Sequence, residues 1–415
     1  MKSRINPQSE QESQFAHYSK IIGIEEPLYI YKIETVEPAD EVHIYVDFRK
    51  GAKFTCPACG ADNCSVKRTE DKVWRTLPII QYDCYIHFRT PYIKCTCGTT
   101  IYRPHWENGS SKFTVHFENK VIGLARGGLP ATRIGEHFGL HDTQIRRIIN
   151  RYVDAEYAKL NWSDVKRIAV DEIYLGKKNK YQTVFTDIDS GKVLFITHGK
   201  DGSTFYRFIK EARKHGLTPK KITDISMDMS GAFIAAAGKY FPKAKITFDK
   251  FHVIKLLNKA INEIRKAEKE HKDCMYELYK RKDNLTPKQA NKLREILALN
   301  DRIAQAYAFK ESFADIMSYD LTIEQAEALF EQWTDEVWES DLEPLKTFVK
   351  TVMKHWHGIV EYFKSRITNG IAEGVNSLIR TIQAVANGFG NVHHCCSSKI
   401  LIGDKPMNIF AGCWI

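Results

Sequence analysis

The chain has 415 residues, 43% of them hydrophobic and 27% charged, with a formal net charge of +10. That length exceeds one ordinary core, so two or three domains are expected. No apolar run reaches the length of a membrane span and the polar start MKSRINPQSEQESQ is not a signal peptide, so a cytoplasmic protein without a membrane partner is expected. Charge is uneven: residues 301–345 hold twelve acids against two bases, net −10, so the remainder carries +20. A basic remainder of that size favours a polyanionic partner, most simply nucleic acid.

Residues 1–20 read as a disordered arm, and the alternating stretch 27–50 as two strands. Cys56-Pro57-Ala58-Cys59-Gly60 follows, the pattern of a zinc knuckle, in which glycine lets backbone amides fold toward thiolate sulfurs. A strand-rich stretch runs to Tyr92, then Cys95-Thr96-Cys97-Gly98. Two cysteine pairs on separate turns, each followed by glycine, can close a tetrahedral four-thiolate site. Cys64 stands near enough to replace one ligand, and Cys84 sits mid-strand as core. With no secretory signal, disulfides are not expected. The alternative is four reduced cysteines in a small β-domain.

Residues 117–157 read as helical. Leu129-Pro130-Ala131-Thr132 opens a helix with Ile134 and Phe138 on its apolar side. Gly139-Leu140-His141 makes a turn, and Asp142 or Thr143 caps a second helix. That helix carries Ile145, Ile148, Ile149 and Tyr152 on one face and Gln144, Arg146, Arg147 and Arg151 elsewhere. Helix, short glycine turn and basic second helix form the helix-turn-helix pattern, the four polar side chains being its candidate DNA contacts. An ordinary helical hairpin with a solvated charged face is the competing reading.

From Val165 strand patterns take over. Arg167 to Val170 runs into Asp171-Glu172, Tyr181 to Asp187 and Val193 to Thr197 form a hairpin, and Gly202 to Lys214 is an amphipathic helix. Lys221 to Val253 is then strand, acid, helix, strand, acid: Ile222 to Met227 ends on Asp228, Gly231 to Tyr240 is helical, and Ala244 to Phe248 delivers Asp249 and His252. Open α/β sheets place their chemistry at the carboxyl ends of strands, although such an Asp also serves simply as a helix cap. The order β-β-β-α-β-α-β is that of the ribonuclease H-like fold, in which the first and fourth strands are neighbours, so Asp171 and Asp228 would face one metal site. Residues 255–364 read as helical, with a basic stretch (Lys250 to Arg294, net +7) before the acidic one. Thr368 or Asn369 would cap a last helix carrying Glu373, Asn376 and Arg380 on one face. The tail cysteines and histidines, His393 to Cys396, are adjacent in sequence and would point apart.

Taken together, this order resembles that of the bacterial insertion-sequence DDE transposases of the ISL3 type, over roughly residues 50–400. The pieces that carry the resemblance are Val170-Asp171-Glu172-Ile173, Ser226-Met227-Asp228-Met229-Ser230-Gly231-Ala232-Phe233, Phe248-Asp249-Lys250-Phe251-His252-Val253 and Asn369-Gly370-Ile371-Ala372-Glu373-Gly374-Val375-Asn376. It implies a multidomain α+β protein: an N-terminal arm and strands (1–50), a zinc-ribbon-like β domain (51–110) with Cys56, Cys59, Cys95 and Cys97 as ligands, a helix-turn-helix (111–160), a ribonuclease H-like core (161–254), a helical insertion (255–364) and a last segment with the catalytic Glu (365–415). It further implies a catalytic triad of Asp171, Asp228 and Glu373 holding two Mg²⁺ or Mn²⁺, with Asp249 and His252 as a DxxH motif, His252 assisting catalysis and Arg380 on DNA. The expected activity is binding of terminal inverted repeats, cleavage to a 3′-hydroxyl and its joining to target DNA, by a homodimer at the bacterial nucleoid. A catalytically inactive DNA-binding regulator and a metal-dependent nuclease without strand transfer are the alternatives.

Overall fold

The computed structural model describes residues 7–127, 129–174, 181–268, 274–365, 367 and 374. The chain divides into two units, residues 1–149 and 150–415. No helix among the described residues is long and apolar enough to cross a membrane.

The first unit opens on α1 (Pro7–Ile22), where a disordered arm was expected. Its Gln, Glu, Ala and Lys are good helix formers behind a proline tolerated in the first turn. Phe15 and Ile22 pack against the sheet's apolar core and anchor it, a contact that the polar composition hides. Six strands follow: β1 (Leu28–Val36), β2 (Glu41–Phe48), β3 (Lys53–Phe54), β4 (Cys64–Ile79), β5 (Tyr82–Cys95) and β6 (Gly98–Ile101), ordered β1-β2-β5-β4-β3 with β6 on β5. In β2 the period of two is plain, Val42, Ile44 and Val46 being buried and His43, Tyr45 and Asp47 turned to the other face. The buried side joins Trp74, Ile86, Phe88 and Trp106 in one core.

Helices α2 (Val115–Arg126), α3 (Ala131–Phe138) and α4 (Asp142–Tyr157) come next. The α3–α4 turn is tight for a visible reason. Gly139 sits at φ 61°, the Leu140 N–H donates to the Gly135 carbonyl at 2.8 Å, and the Gly139 N–H to that of Glu136 at 3.3 Å, a Schellman ending. A Cβ on Gly135 would lie 2.5 Å from the Leu140 carbonyl oxygen, so the close turn needs glycine there as well.

The second unit holds β7 (Arg167–Tyr174), β8 (Tyr181–Asp187), β9 (Val193–His198), α5 (Ser203–Lys214), β10 (Asp224–Met227), α6 (Gly231–Tyr240) and β11 (Lys245–Phe248). The sheet order is β11-β10-β7-β8-β9, so the first and fourth of these strands are neighbours, as expected. β7, β10 and β11 run parallel, and β8 is antiparallel to both its neighbours. β10 is shorter than its apolar run because a 3-10 turn, Pro219–Lys221, precedes it. Phe185, Phe205, Phe208, Phe233 and Phe241 fill the space between the sheet and α5–α6.

Seven helices follow: α7 (Lys250–Ala267), α8 (Met275–Tyr279), α9 (Pro287–Leu299), α10 (Asp301–Ile316), α11 (Ile323–Glu339), α12 (Glu343–Lys354) and α13 (Trp356–Ser365). α7 starts at Lys250 rather than near 255, because the Asp249 carboxylate accepts the Phe251 N–H and caps it at once. α10 and α12 pack on α7, and α13 lies against β11. That last approach is close: a Cβ on Gly358 would come within 2.5 Å of the Phe248 ring and 3.2 Å of the Ile246 carbonyl oxygen.

Candidate active site and metal centre

Strand register builds the site. Ser226 of β10 pairs with Ala169 of β7, and Met227 of β10 with Phe248 of β11. Counting on by two residues and by one puts Asp171, Asp228 and Asp249 at one level: Asp228 and Asp249 just past the ends of β10 and β11, and Asp171 within β7, which runs on to Tyr174. Neighbouring strands are about 4.8 Å apart, so the three acids stand side by side. The Asp249 N–H, donating to the Met227 carbonyl at 3.1 Å, carries the ladder to that level.

Local bonds fix each acid. The Asp171 carboxylate accepts the Glu172 N–H at 2.7 Å, and Asp228 accepts the Ser230 N–H at 3.0 Å. Asp249 is 3% exposed; one carboxylate oxygen caps α7 and the other meets the His252 Nδ1 at 3.1 Å. Burial pushes the Asp171 carboxyl up, against the pull of the Glu172 N–H and the His252 charge, and the charges of Asp249 and Asp228 add to the rise. Glu172 is pushed up to about 7, by burial first and then by the Asp228 charge. Acids set this close together concentrate negative charge, and hard divalent cations with oxygen ligands fit them. Glu172 was not singled out from the sequence. Its signals were its place beside Asp171 and in the Val170-Asp171-Glu172-Ile173 stretch, but strand alternation would have sent it to the opposite face.

Burial works against a charged His252, but the Asp249 hydrogen bond and the charges of Asp171, Asp249 and Asp228 outweigh it, so its pKa is raised. The sign follows. With the folded value above the unfolded one near 6.5, the contact's stabilisation is fully present below about pH 6.5 and lost as pH rises through the folded value. In protein free of divalent ions, His252→Asn is expected to lower Tm more at pH 5.5 than at pH 9, as checked by thermal unfolding. An equal loss at both would remove the ion pair.

Glu373, Asn376 and Arg380 lie outside the described residues. The segment leading to them starts beside the site: the Ser365 hydroxyl lies 3.5 Å from that of Thr247 on β11, two residues before Asp249.

In the first unit Cys56, Cys59, Cys95 and Cys97 come together, every sulfur within 4.8 Å of the others. Cys56 and Cys97 are 3.6 Å apart, Cys59 and Cys95 3.4 Å. Those spacings are too long for disulfides. They approach the edge of a tetrahedron with metal–sulfur bonds of about 2.3 Å, so four thiolates fit a zinc ion. The short CxC spacing works because Cys95 pairs with Gly98 across a two-residue hairpin turn, Thr96 and Cys97, which swings Cys97 back over Cys95. The Cys97 N–H and the Cys59 thiol together lower Cys95 to about 6, while the other three thiols raise Cys97 to about 12. Cys64 is buried with its sulfur 3.5 Å from the Ala61 carbonyl oxygen, outside the four-sulfur group, and Cys84 is core.

The candidate DNA contacts on α4 divide. Arg147 is exposed. Arg146 is half-buried and bound to Asp142 at 3.0 Å, Gln144 accepts the His141 N–H at 3.2 Å, and the Arg151 guanidinium lies 6.0 Å from the Tyr152 ring centre.

A family model described as a transposase, of the ISL3 DDE type, matches residues 168–397, more than half of the chain. The chain belongs to the ISL3-type insertion-sequence transposases. The match begins on β7 and runs past Glu373, so Asp171, Asp228 and Asp249 all lie in the part that the family model matches. Full-length likeness agrees. The transposase of insertion sequence IS1001 from Bordetella parapertussis is 24% identical over 378 residues, covering 86% of this chain and 92% of that protein. The transposase of IS1557 from Mycobacterium tuberculosis is 22% identical over 411 residues, covering 90% and 91%. In both the likeness reaches well beyond the family-model segment, so this transposase also shares its amino-terminal half with them.

Proposed function

We propose that this transposase cuts the ends of its insertion sequence to a 3′-hydroxyl and joins that hydroxyl to target DNA, with Asp171, Asp228 and Glu373 holding two Mg²⁺ or Mn²⁺ ions. The observation that carries the reading is the shared level of Asp171 and Asp228 on adjacent parallel strands within the family-matched segment. Glu373 is within reach, since eight residues from Ser365 span about 27 Å extended or about 12 Å as helix. Two bound ions would supply activation of the attacking oxygen and charge stabilisation of the leaving one. The chain's own part is to place and to orient. Asp171, Asp228 and Glu373 would hold the ions. Asp249 caps α7 and holds His252 toward the cluster, where a protonated ring would steady the scissile phosphate.

Recognition would be separate from cutting, because acids do not read sequence. The strand order supports a ribonuclease H-like core at 161–254, resumed at 365–415 after the helical insertion 255–364. The Schellman turn between α3 and α4 supports a helix-turn-helix at 111–160 that reads terminal inverted repeats, with Arg147 at the groove, Gln144, Arg146 and Arg151 near it, and Arg380 on DNA elsewhere. The four-sulfur cluster supports a zinc-ribbon-like domain at 51–110, beyond the 1–50 segment. Handling both element ends together calls for a homodimer, acting at the nucleoid in the bacterial cytoplasm.

The deciding experiment offers labelled element ends and a plasmid to the full-length protein with magnesium. Joined product is expected. Cut ends that never join would make the protein a nuclease, and binding without cutting would make it a regulator. For the other metal, analysis of purified protein is expected to find one zinc per chain, lost in a Cys56→Ser/Cys97→Ser variant and released progressively as pH falls, because protons compete for the thiolates. Metal-free protein with unchanged folding would sink the zinc assignment.

A further inference from the structure

A groove of about 1020 Å³ leaves the carboxylate cluster along α7. Asp228, Ser230 and His252 form one end, and Tyr279, Thr351 and His355 contribute elsewhere to its lining. α7 itself presents Phe251, Lys255, Asn258, Lys259 and Asn262, spaced by three or four residues and so on one helical face. Lys255 and Lys259 are exposed, and neither forms an ion pair among the described residues. They stand one helical turn apart, about 6 Å along the axis, a spacing that serves successive phosphates of an extended strand. Phe251 is 56% exposed, on the first turn beside Asp249, with its ring 5.8 Å from that of His252. A large apolar ring in that position is not packed as core. The Asn258 side-chain oxygen is buried and has no hydrogen-bond partner among the described residues.

We propose that this groove binds unpaired DNA, a short single strand running from the carboxylates along α7. The proposal rests on the transposase chemistry above and names the state of DNA that the site takes beside the reacting bond. A duplex shows the groove only phosphates and sugars, because its bases are stacked inside, so Phe251 and Tyr279 would meet nothing suited to them. A free nucleotide would leave the second lysine idle. A single strand uses both kinds of wall: its bases stack on Phe251 and Tyr279, its phosphates lie on Lys255 and Lys259, and a base amine donates to Asn258. Opening of the duplex at the cut is thereby stabilised by the protein rather than left to the DNA.

The test uses the full-length protein without added magnesium, so that no cleavage is involved. Fluorescein-labelled dT12 is followed by anisotropy, and a 4-thiothymidine 12-mer by photocrosslinking with mass spectrometry. Crosslinks are expected within residues 251–262 and at Tyr279. Phe251→Ala should weaken dT12 binding at least about fivefold while Phe251→Trp restores it, stacking being worth that much per base. Lys255→Ala/Lys259→Ala should flatten the log–log salt dependence by about 1.4, two phosphates at about 0.7 each. Crosslinks confined to other segments, or dT12 affinity unchanged in Phe251→Ala, would overturn the proposal. Absence of joining in the earlier assay with crosslinks found here would instead fault the proposed reaction and leave the groove assignment standing.

Discussion

Asp228→Asn is expected to abolish joining of labelled ends, by about a thousandfold or more, with little change in Tm. The substitution keeps size and the acceptor for the Ser230 N–H, so the fold has no reason to move. On the proposed mechanism it removes one of the charges that would hold the metal ions, and a neutral amide does not replace it. Asp171→Asn and Glu373→Gln should behave alike in the same assay. The informative comparison is Asp249→Asn. This residue stands in the same row of acids, yet its carboxylate is spent on the α7 cap and on His252. Asn caps a helix as well as Asp, so at pH 9, where the His252 ion pair no longer contributes, stability should survive, and joining should fall only by about ten- to a hundredfold, as when a residue that orients a metal site's neighbours is lost. Should Asp249→Asn prove as dead as Asp228→Asn, Asp249 would be a ligand and the triad would need redrawing.

Gly358→Ala is expected to cost about 2 kcal/mol and to lower Tm by roughly 4–8 °C. Alanine would ordinarily gain about 1 kcal/mol over glycine inside a helix. Here the new methyl would sit 2.5 Å from the buried Phe248 ring and close to the Ile246 carbonyl oxygen, so crowding outweighs propensity. Relief can come only from lifting α13 off β11. Ser365 ends that helix, and with it the start of the segment carrying Glu373 would shift. Joining should therefore drop more than the stability loss alone predicts. Gly238→Ala is the control: it is helical too, but a Cβ there meets nothing within 4 Å. Equal melting temperatures for the two variants would show that α13 yields without cost.

What the sequence revealed tracks how local each signal is. Tyr181 to Asp187 and Gly231 to Tyr240 were legible to the residue, because apolar runs bounded by Asp, Gly and Pro leave little choice. The neighbouring of β7 and β10 followed from element order. α1 was not legible, since its stability comes from Phe15 and Ile22 meeting a core assembled later in the chain. Nor was the fate of Gln144 and Arg146, whose polar groups are taken up by His141 and Asp142 within their own helix start. Glu172 escaped notice because its environment is made by Asp228, 56 positions away, and by burial that no local pattern encodes. The equal level of Asp171, Asp228 and Asp249 is likewise a property of register, which hydrogen bonding between distant segments decides.

A metal ion held by the four clustered sulfurs would tie the turn after β3 to the hairpin between β5 and β6, and those outer strands are short, β3 having two residues and β6 four. β3 ends the sheet's strand order. So small a rung cannot shield the long β4 beside it once the sulfurs are no longer tied, and an uncovered rim of that kind recruits further copies through its unsatisfied amides. Metal starvation or thiol oxidation would then show first as clumping of the protein, ahead of any fault in its handling of DNA.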